Sequence, residues 1–363
     1  MARVHNFNAG PAALPLSVLE AAQKEFVDFQ GTGMSLLEHS HRGKDYDAVH
    51  QQAIALMREL LAVPDDYQIL FLQGGASQQF AVIPMNLLPA DKSADYVVTG
   101  AWSQKAFGEA KNVGKVRLAA STEDNKAFTR LPTRDEIKVD PSAAYLHFTS
   151  NETIHGVEFK DWYPETGSVP LVCDMSSDFM WRKFDVKRFD LIYAGAQKNI
   201  GPAGVTVVIA RKSLIEKGRT DIPKIFRYST HAGENSMYNT CPTFGIYIIR
   251  NVMQWIKDSG GLDQIETWNR EKAKLTYDFL DAHASYFRAP VAKDARSVMN
   301  IVFRLPSEQH EEKLIKEAKA AGFVGLKGHR SVGGIRISAY NAVSVDSVKQ
   351  LLAFLDKFEK ANP

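Results

Sequence analysis

The chain has 363 residues, 45% of them hydrophobic and 24% charged, which is globular usage with enough apolar material for a large core and, at about 150 residues per domain, room for two domains. Forty-four Lys and Arg against 42 Asp and Glu leave a net charge of +2, so no overall field draws the protein to nucleic acid or an anionic membrane, and any anion it binds must be gripped locally. Two cysteines, Cys173 and Cys241, support neither a disulfide framework nor a four-ligand zinc site, and they fit a reducing compartment.

From the amino terminus, Asn6, Asn8, Gly10, Pro11 and Pro15 stand where a secretory signal would need an apolar run, so a soluble, cytoplasmic protein is expected. A helical pattern covers Tyr46 to Leu61, with Val49, Ala53, Leu56, Met57 and Leu60 on one face. Short apolar runs follow: Ile69 to Leu72, Tyr96 to Thr99, Val116 to Ala119, Tyr145 to Phe148, Leu171 to Cys173, Leu191 to Ala194, and Val205 to Ala210. They lack polar alternation, as strands covered on both faces do, and helical patterns at Ser77 to Leu88 and Trp102 to Asn112 interleave with them. The expected fold is α/β, with a mostly parallel seven-stranded sheet. The charge-free stretch from Tyr67 to Ala90 carries too many Gln, Gly and Pro residues for a membrane helix.

A long helical pattern from Phe244 through Trp255 ends at Ser259-Gly260-Gly261. Beyond it come a helix from Leu262 to Ala284, a strand from Met299 to Arg304, a helix from Glu308 to Ala321, a strand from Gly334 to Ser338 and a closing helix from Val345 to Glu359. The reading is a large domain over residues 16–260 and a smaller α+β domain from residues 1–15 and 261–363.

Lys198 carries the most informative signal. It follows the run ending Ala194-Gly195-Ala196 and precedes Gly201-Pro202-Ala203-Gly204, small residues that leave room for a flat cofactor beside an amine. A lysine that forms a Schiff base must be partly desolvated to lose its proton; an isolated lysine at a strand end is more often simply solvated. A pyridoxal phosphate site would also need an acid at the pyridine nitrogen, an aromatic plate and an anion cradle. Asp174 ends the run Leu171 to Cys173, although a helix N-cap is its other reading. Gly74-Gly75-Ala76-Ser77 opens a helix whose N–H groups would face a phosphate. Trp102 follows Gly100-Ala101 at another strand end, where a core tryptophan is the plainer reading. Each signal is weak alone, but together they sit at the ends of four strands of one sheet, the edge at which open α/β sheets bind ligands.

The segments Asn6-Phe7-Asn8-Ala9-Gly10-Pro11, Glu38 to Gly43, Gly74-Gly75, Asn151 to Gly156, Tyr193 to Gly204, Asn239 to Thr243 and Gly328 to Gly334 together resemble the phosphoserine aminotransferase family, of the class-V, fold-type-I pyridoxal phosphate enzymes, essentially end to end. The resemblance implies that Lys198 forms the Schiff base with pyridoxal 5'-phosphate, that Asp174 pairs with the pyridine nitrogen, that Trp102 stacks on the ring and that Thr153 bonds its oxygen. It puts Ala76, Ser77 and Gln197 on the phosphate, joined by Asn239 and Thr240 from the other subunit of a homodimer. It places His41, Arg42, His329 and Arg330 around the distal phosphate of the substrate and Arg336 on its α-carboxylate, roles that suit the planar fork of arginine. The implied reaction moves an amino group from L-glutamate to 3-phosphohydroxypyruvate in serine biosynthesis, with a side activity on the 4-phosphohydroxythreonine step of pyridoxal phosphate biosynthesis. Ser77 and Ala9 depart from residues common in that family, arginine and serine.

Other readings compete. His39-Ser40-His41 could pair on a metal, but no third ligand is suitably spaced. A dehydrogenase would need G-x-G-x-x-G, to which Gly74-Gly75-Ala76-Ser77 does not extend. A desulfurase would need a cysteine on a mobile loop, an alanine–glyoxylate type transaminase would need no phosphate cluster, and a non-catalytic binding protein would tolerate loss of Lys198.

Overall fold

A computed structural model describes residues 3–363. All seven apolar runs of the first two thirds are strands of one sheet: β1 (Tyr67–Leu72), β2 (Ser93–Val98), β3 (Lys115–Ser121), β4 (Leu146–Thr149), β5 (Leu171–Asp174), β6 (Leu191–Gly195) and β7 (Thr206–Arg211). Their order is β1-β7-β6-β5-β4-β2-β3. Only β7 runs against its neighbours, pairing antiparallel with β1 and β6, while the other pairs are parallel.

Alternation along β1 shows why the runs are continuously apolar. Ile69 and Phe71 join the core on one face, and Leu70 and Leu72 join the core on the other. The first face is covered by helices Lys44–Leu61 and Thr243–Asp258, with Val49, Ala53, Met57, Ile249, Val252, Met253 and Ile256 meeting in one apolar layer. Helices Gly75–Leu87 and Ala101–Lys111 cover the second. Burying a Val, Ile or Leu side chain contributes about 1.5–3 kcal/mol, so a sheet closed on both faces tolerates few polar positions. The edge strand β3 departs from the two-faced expectation, since Leu118 is 47% exposed and only one neighbour flanks the strand.

The carboxyl-terminal third builds a second core from Phe7 together with residues between Leu280 and Phe358. It contains the antiparallel pair Asn300–Phe303 with Ile335–Ser338 and the helices Glu308–Ala320 and Val345–Ala361. His5–Asn6 adds in parallel to Phe323–Val324, which ties the amino terminus to this core. Helix Gly261–Ala282 bridges both cores: Leu262 and Ile265 belong to the first, and Leu280 to the second. Lys272 on this helix is fully buried, and its ammonium donates to the carbonyls of Ala339, Tyr340 and Val343 at 2.8, 2.7 and 2.9 Å. No helix among the described residues is long and apolar enough to cross a membrane.

Candidate active site

The carboxyl ends of β1, β6, β5, β4 and β2, with the amino end of β7 between the first two, form one edge of the sheet, and a cleft of about 350 Å³ opens along it. Seven of the residues expected at a cofactor line this cleft together: Ala76, Ser77, Trp102, Thr153, Asp174, Gln197 and Lys198.

Lys198 follows β6 in a loop closed by the Ala196 N–H to Val205 carbonyl bond (2.9 Å) and the Gly201 N–H to Ala196 carbonyl bond (2.8 Å). Next to it, the Asn199 side chain donates to the Phe179 carbonyl at 2.9 Å and accepts the Asn341 N–H at 3.0 Å, so the loop is pinned to both cores. Lys198 is 8% exposed, which sets aside the solvated-lysine reading. Its Nζ donates to Thr153 Oγ1 at 2.7 Å. Burial pulls the amine down from 10.5 to about 8; Asp174 opposes that pull, and Arg336 adds to it. The unprotonated, nucleophilic amine is therefore far more accessible at neutral pH than in a solvated lysine.

Asp174 is buried at the end of β5, where Ser176 donates to its Oδ1 through N–H (2.8 Å) and hydroxyl (2.6 Å). It thus caps a turn, and no helix starts there. Burial raises its pKa, opposed by the Ser176 bonds and the Lys198 charge. A carboxylate held this way can pair with a protonated ring nitrogen.

Helix Gly75–Leu87 begins at the cleft with no side-chain cap, because its N-cap residue is Gly74, which sits in the left-handed region (φ 88°). A Cβ at Gly74 would lie 1.3 Å from Gln78 Oε1, so both conformation and space require glycine there. The free N–H groups of this first turn face the lining of the cleft and make an anion cradle. Trp102 stands opposite, with the Lys198 ammonium 5.7 Å from its ring centroid and its own Nε1 buried without a partner. An uncapped helix start, an orphaned indole N–H, a desolvated amine and a buried carboxylate fit a flat aromatic aldehyde phosphate.

Arg336 lies on the strand beside the cleft, and its Nη1 reaches the Thr153 carbonyl at 3.5 Å. Its Nε is buried without a partner, and burial lowers its pKa; an orphaned guanidinium edge is a waiting site for a carboxylate. His329 stands among these cations as a neutral hydrogen-bonding ring, its pKa lowered by burial and by Arg336, Lys105 and Arg330.

Neither His41, Arg42, Asn239 and Thr240 nor His329, Arg330 and Arg336 are among the residues lining this chain's cleft, which Arg336 reaches through its bond to the Thr153 carbonyl. Asn239 and the Thr240 carbonyl bond the Gln73 side chain, each at 3.2 Å. His41 and Arg42 precede helix Lys44–Leu61, whose Tyr46 hydroxyl contacts Cys241 Sγ at 3.0 Å. The two segments therefore share one face of the molecule, along which Phe26, Val27, Met34 and Leu37 are exposed by 47, 80, 42 and 51% and Phe26 meets Phe244 edge-on. His39 is engaged with Thr32 and Asp45, and no group of three or more His, Cys, Asp or Glu that could hold a metal is found among the described residues. Both cysteines are buried.

Sequence reasoning missed Glu152, Ser176, His155 and Lys105. Burial pulls His155 down to about 4, with His329 adding to the effect. The Lys105 ammonium lies 4.3 Å from the Trp102 ring centroid. Its signal was available, because three positions on a helix put Lys105 on the face of Trp102.

The Aminotransferase class-V family profile matches residues 4–351. The chain belongs to the class-V aminotransferase family. Phosphoserine aminotransferase of Niallia circulans is 53% identical to this class-V aminotransferase over 359 residues, covering 99% of each chain. Among solved structures, phosphoserine aminotransferase from Bacillus circulans subsp. alkalophilus superposes with a TM-score of 0.97 at 53% identity, covering 99% of each chain. A phosphoserine aminotransferase from Trichomonas vaginalis, described as bound to PLP, gives a TM-score of 0.92 at 38% identity over 97% of this class-V chain and 99% of the other. The α/β fold with its mostly parallel sheet is thus the fold of these enzymes.

Proposed function

We propose that the protein is a pyridoxal phosphate-dependent phosphoserine aminotransferase, exchanging an amino group between L-glutamate and 3-phosphohydroxypyruvate to give 2-oxoglutarate and O-phospho-L-serine. The observation that carries this reading is the buried, depressed Lys198 amine facing Asp174 across the cleft, in a chain about half identical, end to end, to phosphoserine aminotransferases.

The cofactor, when bound, supplies a carbonyl that captures amines and a ring that drains charge from the substrate α-carbon. Lys198 gives the attacking amine, and its Nζ, once freed, would carry the proton from the substrate α-carbon to the cofactor in the first half of the cycle and from the cofactor to the α-carbon of the second substrate in the other half. Thr153 holds Nζ at 2.7 Å for that task. Asp174 stabilises a protonated ring nitrogen, Trp102 covers the ring, and the first turn at Ala76 and Ser77 with Gln197 holds the phosphate. Arg336 takes the α-carboxylate, while His329 and Arg330 take the distal anion. Both substrates carry an α-carboxylate and a distal anion, so one cationic set serves both in turn.

The working unit is a homodimer. Its support is the shared face on which Asn239, Thr240, His41 and Arg42 lie outside their own cleft beside exposed Phe26, Val27, Met34 and Leu37; across a two-fold axis these polar groups complete the partner's site. Residues 16–260 form the cofactor unit and residues 1–15 with 261–363 the smaller one, of which residues 1 and 2 lie outside the described residues. The protein works in the cytoplasm.

The spectrum tests the reading. Ligand-free protein given pyridoxal phosphate and then desalted to remove the free cofactor, which is itself coloured, should keep a visible absorption band that Lys198→Ala loses, and a wild-type sample left colourless would overturn the reading.

A further inference from the structure

Two helices begin at the cleft edge, and their first turns are treated in opposite ways. Helix Gly75–Leu87 starts bare. Helix Ala101–Lys111, which carries Trp102, starts against a buried carboxylate from a distant part of the chain. Glu152 Oε2 accepts the Trp102 N–H at 2.9 Å, and Oε1 accepts the Ser103 N–H at 2.8 Å and the Ser103 hydroxyl at 2.6 Å. Glu152 is fully buried. A Cβ on Gly100 would lie 2.4–2.5 Å from its carboxyl group, so the glycine before the helix makes room for this side chain.

A carboxylate at a helix start meets two orphan N–H groups and the positive end of the helix dipole, both of which favour its charge. These bonds oppose the effect of burial, which raises its pKa. The next residue, Thr153, holds Lys198. The short Asn151–Glu152 and Val157–Glu158 hairpin therefore fixes the amine through one side chain and the first turn beneath Trp102 through its neighbour.

We infer that Glu152 is a positioning residue: it locks the Trp102 indole in register with Lys198, and it fills the second helix start so that an anionic group in the cleft has only the Gly75–Leu87 helix to bind. This rests on the cofactor reading above. Glu152 touches no reacting atom: its charge is among those that raise the Lys198 pKa, and its hydrogen bonds act through Trp102.

The experiment is a double-mutant cycle on the affinity of the full-length protein for pyridoxal phosphate, read from the visible band. Glu152→Gln keeps the shape but turns an amide N–H toward a backbone N–H, and it should weaken binding roughly tenfold, the loss of one charge-assisted hydrogen bond. Trp102→Phe should weaken it as well. Placed in the Trp102→Phe background, Glu152→Gln should change affinity less than about twofold, because its effect passes through the indole. Ser103→Ala, which leaves both N–H bonds to Glu152 but removes the hydroxyl donor and the acceptor of the Thr99 and Gly100 N–H groups, provides the same cycle should Glu152→Gln fail to fold. Multiplicative effects of the two substitutions, or wild-type affinity in Glu152→Gln, would overturn the inference while leaving the cofactor reading intact; a wild-type protein with no visible band would overturn that reading instead.

Discussion

The ionisation of Lys198 offers a test of the site that needs no ligand. With its amine lowered from 10.5 to about 8, about a quarter of the molecules carry a neutral amine at pH 7.5, against about one in a thousand for an ordinary lysine, a difference near 3 kcal/mol. Charged neighbours act on it in opposite directions: Asp174, and after it Glu152 and Asp178, raise the pKa, and Arg336 lowers it. A unit charge about 6 Å away at an effective dielectric of about 20–40 is worth roughly one to two pH units. Arg336→Gln should therefore move the titration upward and Asp174→Asn should move it downward, each by that amount. The assay is an NMR titration of the lysine side-chain signals in ligand-free protein, with Lys198 assigned by its loss in Lys198→Ala. A wild-type midpoint near 10.5, or two variants that move in the same direction, would refute the electrostatic description of the site.

Three further outcomes follow. Arg330→Ala should raise KM for a phosphorylated keto acid at least tenfold while leaving an unphosphorylated acceptor nearly unchanged, as expected when one charged contact is lost; equal losses would show that Arg330 does not serve the distal phosphate. Arg42→Ala, weakened at low concentrations of the phosphorylated substrate, and Lys198→Ala, inactive, should on mixing and re-equilibration yield dimers with one site of wild-type KM, because a mixed dimer holds one intact site; a mixture shown to contain mixed dimers yet keeping only the Arg42→Ala KM would contradict sharing across the interface. The Lys272 ammonium is held by three carbonyls against the pull of burial, which lowers its pKa. Lys272→Met should cost about 3 kcal/mol by orphaning those carbonyls, read from denaturant melts at neutral pH; an unchanged midpoint would contradict the assignment.

The sheet was legible because buried strands write themselves as short apolar runs, and the cleft was legible because its residues follow those runs directly. Lys198, Asp174, Trp102 and Ser77 each lie within a few residues of a strand end. The reversal of β7 was not legible, since a strand covered on both faces reads the same in either direction. Glu152 was hidden for a different reason. It is 49 residues from the Ser103 N–H it caps, and the local sign of an N-cap, a Ser, Thr, Asp or Asn before the helix, is replaced by Gly100. Helix Leu16–Lys24, whose N-cap position is Pro15, likewise lacks a capping side chain. His41 and Arg42 were found through a resemblance of motif, and nothing along their own segment says that they serve a cleft lined by other parts of the fold.

The most direct measurement of the central claim is amino transfer from ¹⁵N-glutamate to 3-phosphohydroxypyruvate by the purified protein loaded with pyridoxal phosphate. The account predicts ¹⁵N-labelled O-phosphoserine and an equal amount of 2-oxoglutarate, with no turnover in Lys198→Ala. A wild-type protein that binds the cofactor yet leaves the label in glutamate, or a Lys198→Ala variant that turns over at the wild-type rate, would contradict it.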